Sequence, residues 1–221
     1  MVDIFDEVEE ELRAERAQQL LKRYAGVILA AVVLVVGAVA GWQGWRWYEA
    51  RQDRKAAAQY ITAMTLVQAS PTGSNEATRS AAMAAFTNVA ANSPEGYATL
   101  ARLQEAALRA DAGDGKGASA LWDQVAGDSS ADPLLRDLAS LLWAQHKLDQ
   151  GDPSLLEARL KPLTAVANPW HALAEEQLAL LELRQGRKDQ ARTMLQHLAQ
   201  DTTAPSGVRG RASGVLTRLG G

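Results

Sequence analysis

Residues 24–45 read YAGVILAAVVLVVGAVAGWQGW, with Lys22-Arg23 before them and Arg46 after them. No residue in the stretch is charged. As a helix, 22 residues rise about 33 Å, enough to cross a hydrocarbon core of about 30 Å. Nine Val, Ile or Leu side chains favour insertion by about 3 to 5 kcal/mol in total. Trp42, Trp45, Trp47 and Tyr48 crowd one end and Tyr24 marks the other. Such rings sit at headgroup level because one part is apolar and the other polar. A buried core helix is the weaker reading, since soluble cores rarely use so long an uncharged run. The stretch also resembles a cleaved signal peptide, with Ala38-Val39-Ala40 as a candidate cut. Against cleavage, the preceding tail is long and acidic (Asp3, Asp6, Glu7, Glu9, Glu10, Glu11, Glu15), and the apolar run flows straight into the tryptophans. An uncleaved membrane anchor is the expectation.

One span divides the 221 residues into a tail (1–23), a transmembrane helix (24–48) and a body (49–221). In the tail, Asp6 and Glu9 have capping-box spacing, and Phe5, Val8 and Leu12 share one helical face. A short amphipathic helix running into the span follows. It reads either as a docking surface for a basic partner or as a solvated acidic helix, and the second reading is preferred.

Positive charge near the span does not decide orientation. Arg13, Arg16, Lys22 and Arg23 face Arg46, Arg51, Arg54 and Lys55, and acidic residues count for little. The closest pair, Lys22-Arg23, tilts the balance slightly toward tail-inside. Within the span, Gly37 and Gly41 are four residues apart, with Ala30 and Gly44 close to the same face. Such a face admits a second helix at short range.

The formal net charge of −3 comes with no basic stripe, so no nucleic-acid partner is expected. The absence of cysteine excludes disulfides, lipoprotein anchoring and thiolate metal sites. After residue 50 strand-like alternation is nearly absent, so the body reads as all-α.

The body repeats. Gly113, Gly151 and Gly186 are 38 and 35 residues apart. Thirteen residues before each stands a leucine (Leu100, Leu138, Leu173). Twelve and seven before stand alanines: Ala101 and Ala106, Ala139 and Ala144, Ala174 and Ala179. After the glycines come Ala118, Trp122 and Val125; Leu156, Leu160 and Leu163; Ala191, Leu195 and Leu198. Pro133, Pro169 and Pro205 close the units. Small alanines let two helices of a hairpin approach, glycine permits the turn, and large residues fill the gap to the next unit. One hairpin cannot bury its face alone, so the units must stack.

This pattern resembles the tetratricopeptide repeat, most closely at Gln185-Gly-Arg-Lys-Asp-Gln-Ala191. An earlier degenerate unit is expected over 54–92, keeping Ala82, Phe86, Val89 and Pro94, with a looser turn over 70–75. Glu105 and Arg109 stand where the repeat expects core residues, and the usual first-helix aromatic is missing. Val208, Ala212, Val215, Leu216 and Leu219 predict a terminal capping helix, weakened by Gly207, Gly210 and Gly214. The expected fold is all-α: an N-terminal transmembrane helix followed by a tetratricopeptide-like solenoid of helical hairpins.

The short tail, the single span, the exit motif Gly44-Trp-Arg-Trp-Tyr48 and the alanine-rich repeats together resemble the YfgM family. That resemblance implies an inner-membrane accessory of the bacterial Sec translocon, with the tail cytoplasmic and the repeat domain periplasmic. It also implies protein partners: Sec subunits, periplasmic chaperones or folding factors, or emerging polypeptides. A structural tether for an envelope or division complex is the alternative. In the repeat family the first helix of each unit lines the concave surface. This makes Leu100, Leu103, Leu138, Leu141, Leu148, Leu173, Leu180 and Leu183 candidates for a partner groove, or else for packing between helices.

No catalytic constellation is visible. His146, His171 and His197 are scattered and lack a second ligand at metal spacing. Gly113-Asp-Gly-Lys-Gly117 lacks the preceding strand of a phosphate loop and falls at a hairpin turn. No enzyme activity, cofactor, metal or small-molecule substrate is expected.

Overall fold

The computed structural model describes residues 4–69 and 76–220, with side chains from Arg23 onward, Ile28 aside. Among them every regular element is helical. The first helix, α1 (Ile4–Gln68), runs 65 residues without a break. No proline occurs before Pro71, and once a helix is nucleated each further residue adds a hydrogen bond. The tail's capping-box residues and its Phe5, Val8, Leu12 face lie outside the described side chains.

The structure divides into two compact units, Met1–Gln52 and Asp53–Gly221. In the first, the described side chains of residues 23–51 are all exposed, Leu34 to 71% and Trp42 to 68%. This part of α1 is long and apolar enough to cross a membrane.

In the second unit, the last part of α1 packs on α2 (Glu76–Asn92). Ala63 and Phe86 are fully buried, and the Tyr60 ring meets Phe86 edge-on at 5.6 Å. These two helices form the degenerate first unit; its turn over 70–75 lies outside the described residues. Three hairpins follow. They are α3 (Glu95–Asp111) with α4 (Gly115–Gly127), α5 (Pro133–Lys147) with α6 (Pro153–Leu160), and α7 (His171–Arg184) with α8 (Lys188–Gln200). A final helix, α9 (Ser206–Arg218), covers the last hairpin through Val208 and Ala212.

The periodic alanines and the large residues of the second helices are all buried, none more than 4% exposed. Long-range hydrogen bonds recur at the repeat period. Trp170 Nε1 donates to Leu134 O at 3.0 Å, Arg184 Nη2 to Gly151 O at 2.7 Å, and Arg211 pairs with Glu176. Neighbouring units are thus tied by hydrogen bonds that span about one repeat, as stacking requires.

The three turn glycines have different reasons to exist. Gly113 and Gly186 adopt φ of +83° and +79°, where a Cβ is strained. Gly151 is not in that region. A Cβ there would lie 2.8 Å from the Lys147 carbonyl oxygen, so the expectation of a uniform turn glycine is corrected to one of close approach. This second hairpin is irregular in another way. Pro162 offers no N–H, and α6 gives way to a 3₁₀ turn (Lys161–Thr164) that still buries Leu163. Aspartates begin three of these helices: Asp114 accepts from Gly117 N, Asp132 from Leu134 N and Asp152 from Leu155 N.

Glu105 is the notable departure from the repeat pattern. It is buried, and Arg109 donates to it through Nε at 3.0 Å and Nη2 at 2.7 Å. Arg109 also reaches Asp114 at 3.1 Å. The two off-pattern residues compensate each other, and the helix keeps its register because Ala101 and Ala106 stay fully buried on either side.

Candidate functional site

The first helices α5 and α7 lie side by side and leave a groove between them of about 520 Å³. Both helices supply its walls. Leu138, Leu141 and Leu142 project from α5, and Leu173 and Leu180 project from α7. Spacings of three, four and seven residues place them on one face of each helix. Leu148, at the end of α5, closes one end with Asp149 and Gln145 at the rim. Five of the eight leucines singled out in the sequence therefore meet in one cavity. Leu100 lines a separate cavity of about 570 Å³ with Tyr97, Leu134 and Leu135. Leu103 is buried in the central cluster, and Leu183 packs against the α7–α9 cluster.

Besides Gln145 and Asp149 at the rim, sequence reading missed Glu176, Gln177 and Arg211. Glu176 is 4% exposed and accepts two hydrogen bonds from Arg211 of α9, at 2.6 Å each. The carboxylate raises the pKa of the Arg211 guanidinium, and the bidentate geometry holds the capping helix to the groove wall. Gln177 is 6% exposed, and its Oε1 has no hydrogen-bond partner among the described residues. Glu176 and Gln177 were legible as polar interruptions three and four residues beyond Leu173. Arg211 was not, because it lies 35 residues away and only α9 packing brings it near.

The groove is thus walled by buried and half-buried leucines and carries one neutralised ion pair. Residues 18–197 match the tetratricopeptide repeat-like domain. The chain belongs to that family. It is also 32% identical over 149 residues to a Haemophilus influenzae protein named the ancillary SecYEG translocon subunit. The alignment covers 67% of this chain and 70% of the relative, so the two share a family, as the layout and exit motif implied. No solved structure matches.

The remaining sequence candidates take these places in the tetratricopeptide-like protein. Ala30, Gly37, Gly41 and Gly44 lie on the exposed part of α1, and a Cβ added at any of these glycines meets nothing within 4 Å. The Trp122 and His146 rings are tilted against each other at 5.4 Å. His171 Nδ1 lies 2.8 Å from the Asn168 carbonyl, and His197 Nδ1 lies 3.7 Å from Glu175. Gly113–Gly117 forms the α3–α4 turn, where Asp114 caps α4.

Proposed function

We propose that this chain is a non-enzymatic, membrane-tethered protein-interaction module. It serves the Sec translocon and connects it with periplasmic chaperones or emerging polypeptides. The membership of one family with an ancillary SecYEG translocon subunit is the observation that carries this reading. The leucine-walled groove supplies a surface for a protein partner, and the exposed apolar part of α1 supplies the tether. In this proposal residues 1–23 lie in the cytoplasm, 24–48 cross the inner membrane and 49–221 fold in the periplasm. The small-residue face of Ala30, Gly37, Gly41 and Gly44 then meets another membrane helix.

The test is crosslinking in intact cells, with a photoreactive residue at Leu142 or Leu180 and, as control, at the exposed Lys188. Adducts with Sec subunits, folding factors or nascent chains at the groove positions, absent at Lys188, are expected. Adducts confined to cell-wall or division proteins would replace this reading with that of an envelope tether. Orientation has its own measurement. Protease added to spheroplasts should degrade the repeat domain and spare the tail, and a protected repeat domain reverses the topology.

A further inference from the structure

We propose that the loop leading into α7, residues 165–170, dips its apolar tip into the headgroup region of the bilayer, giving the repeat domain a lipid contact of its own. The inference rests on the reading of residues 24–48 as a membrane span and adds a second membrane site to it.

This loop departs from its counterparts. The connections that follow α4 and α8 each open on an aspartate that folds over the turn. Asp128 accepts from Ser130 N and Oγ, and Asp201 accepts from Thr203 N and Oγ1. Such short polar residues suit turns because they hydrogen-bond to nearby backbone. The loop before α7 carries Ala165, Val166 and Ala167 instead. All three are exposed, Val166 to 90%. No residue from Pro162 to Trp170 is charged. Apolar side chains scattered singly on a surface are ordinary, but a run of them at a turn is not. The loop is also well held. Asn168 N donates to Ala165 O at 2.7 Å, Asn168 Nδ2 to Asp137 Oδ2 at 2.8 Å, and Trp170 Nε1 to Leu134 O at 3.0 Å. These bonds fix the turn and leave Val166 in the open.

What covers the tip follows from where the chain enters the domain. Asp53 opens the second unit and lines one cavity with Gly96 and Leu134, in the first turns of α3 and α5. Trp170 bonds the loop to that same first turn of α5, so the loop stands at the entry end of the array. Leu134, 42% exposed, adds a second apolar side chain at this end. Only five residues separate Asp53 from Tyr48, a reach of at most about 18 Å. Tyr48 belongs to the aromatic cluster that marks headgroup level, so the chain itself keeps the entry end close to lipid. A tip held at such short range needs little affinity of its own, because the tether makes its binding intramolecular. Interfacial binding grows with the apolar area buried, and an uncharged tip carries no charge that would have to leave water.

The chain has no cysteine, so a single introduced cysteine carries a nitroxide label without competition. The full chain is placed alone in phosphatidylcholine nanodiscs with the label at Leu34→Cys, Val166→Cys or Lys188→Cys, the last in the exposed turn at the other end of α7. Power saturation then reads collisions with oxygen, which concentrates in lipid tails, and with a water-soluble nickel chelate. The oxygen-to-nickel ratio at Val166→Cys should exceed that at Lys188→Cys by about threefold or more, as for a side chain at the boundary of headgroups and tails. A label at Ala167→Cys should show the same preference and lose it when Val166→Asp is added. The melting temperature should not move, because Val166 lies outside the packed core. Val166→Asn serves if the aspartate variant does not fold.

A water-like ratio at Val166→Cys with a lipid-like ratio at Leu34→Cys overturns the proposal and leaves the tether standing. A water-like ratio at Leu34→Cys removes the tether reading and the proposal with it. Spin–spin broadening at Val166→Cys that vanishes on dilution with unlabelled chain would make a second copy the occupant and also overturns it. So does a lipid-like ratio at Ala167→Cys that persists in both residue 166 variants.

Discussion

Leu141 and Leu180 face the same groove, yet burial separates them. Leu141 is 4% exposed and Leu180 only half-buried. Leu141→Glu puts a carboxylate into packed apolar surroundings and should cost about 3 kcal/mol or more, visible as a sharp fall in melting temperature. Leu180→Glu can turn its charge to water and should cost about 1 kcal/mol or less. Equal losses for the two would mean that the groove is closed by packing. Gly210 tests the opposite sign. It lies inside α9, and a Cβ there meets nothing within 4 Å. Gly210→Ala should therefore stabilise by about 0.5–1 kcal/mol through reduced chain entropy. A destabilised variant in thermal denaturation would show that the open face of α9 is occupied.

At the scale of the element, two hairpins carry the same ionic staple with its charges exchanged. Arg109 bonds Asp114 across the α3–α4 turn, and Glu182 bonds Arg187 across the α7–α8 turn. Each pair sits four residues before the turn glycine and one after it. The geometry of the turn, not the sign of either charge, is what repeats. Glu182→Lys should destabilise by about 0.5–1 kcal/mol, and adding Arg187→Glu should restore most of the loss. No recovery in the double variant would mean that the pair adds nothing.

The same contacts set a pH dependence. Arg187 holds Glu182 below its ordinary value, and the Gly117 N–H and Arg109 hold Asp114 below its own. A depressed folded pKa means that the unfolded chain binds protons first. This contribution is full above the unfolded values of about 4 and is lost as pH falls through the lower folded values. Melting temperature should fall below about pH 4, and less steeply in Glu182→Gln than in the parent. Parallel curves for the two would refute the assignment.

At the scale of the molecule, stability should be local because each unit touches chiefly its neighbours. Removing α9 strips the cover from Ala172, Ala179, Leu195 and Leu198 and leaves Glu176 buried without Arg211. Hydrogen exchange should then accelerate through α7 and α8 while the α3–α4 hairpin stays protected. Uniform acceleration would show the repeat unit to be a single cooperative block.

The sequence by itself determined the class of the fold, because periodicity is a local property. Alanines at fixed offsets from a glycine, followed by large residues at helical spacing, can be satisfied only by stacked hairpins, and every one of them is buried. The uncharged run at 24–45 likewise announced a helix long and apolar enough to cross a membrane. What only the tertiary structure decided depends on residues far apart in the chain. Gly151 is required by the Lys147 carbonyl pressing on it, which no glycine rule reveals. Glu105 belongs in the core because Arg109 folds back onto it. The groove itself forms between α5 and α7, about 35 residues apart in the chain, with Arg211 arriving from the capping helix to neutralise Glu176. A face of a helix is written in its own residues, whereas whether that face is covered depends on the distance to the next helix, and only packing sets that distance.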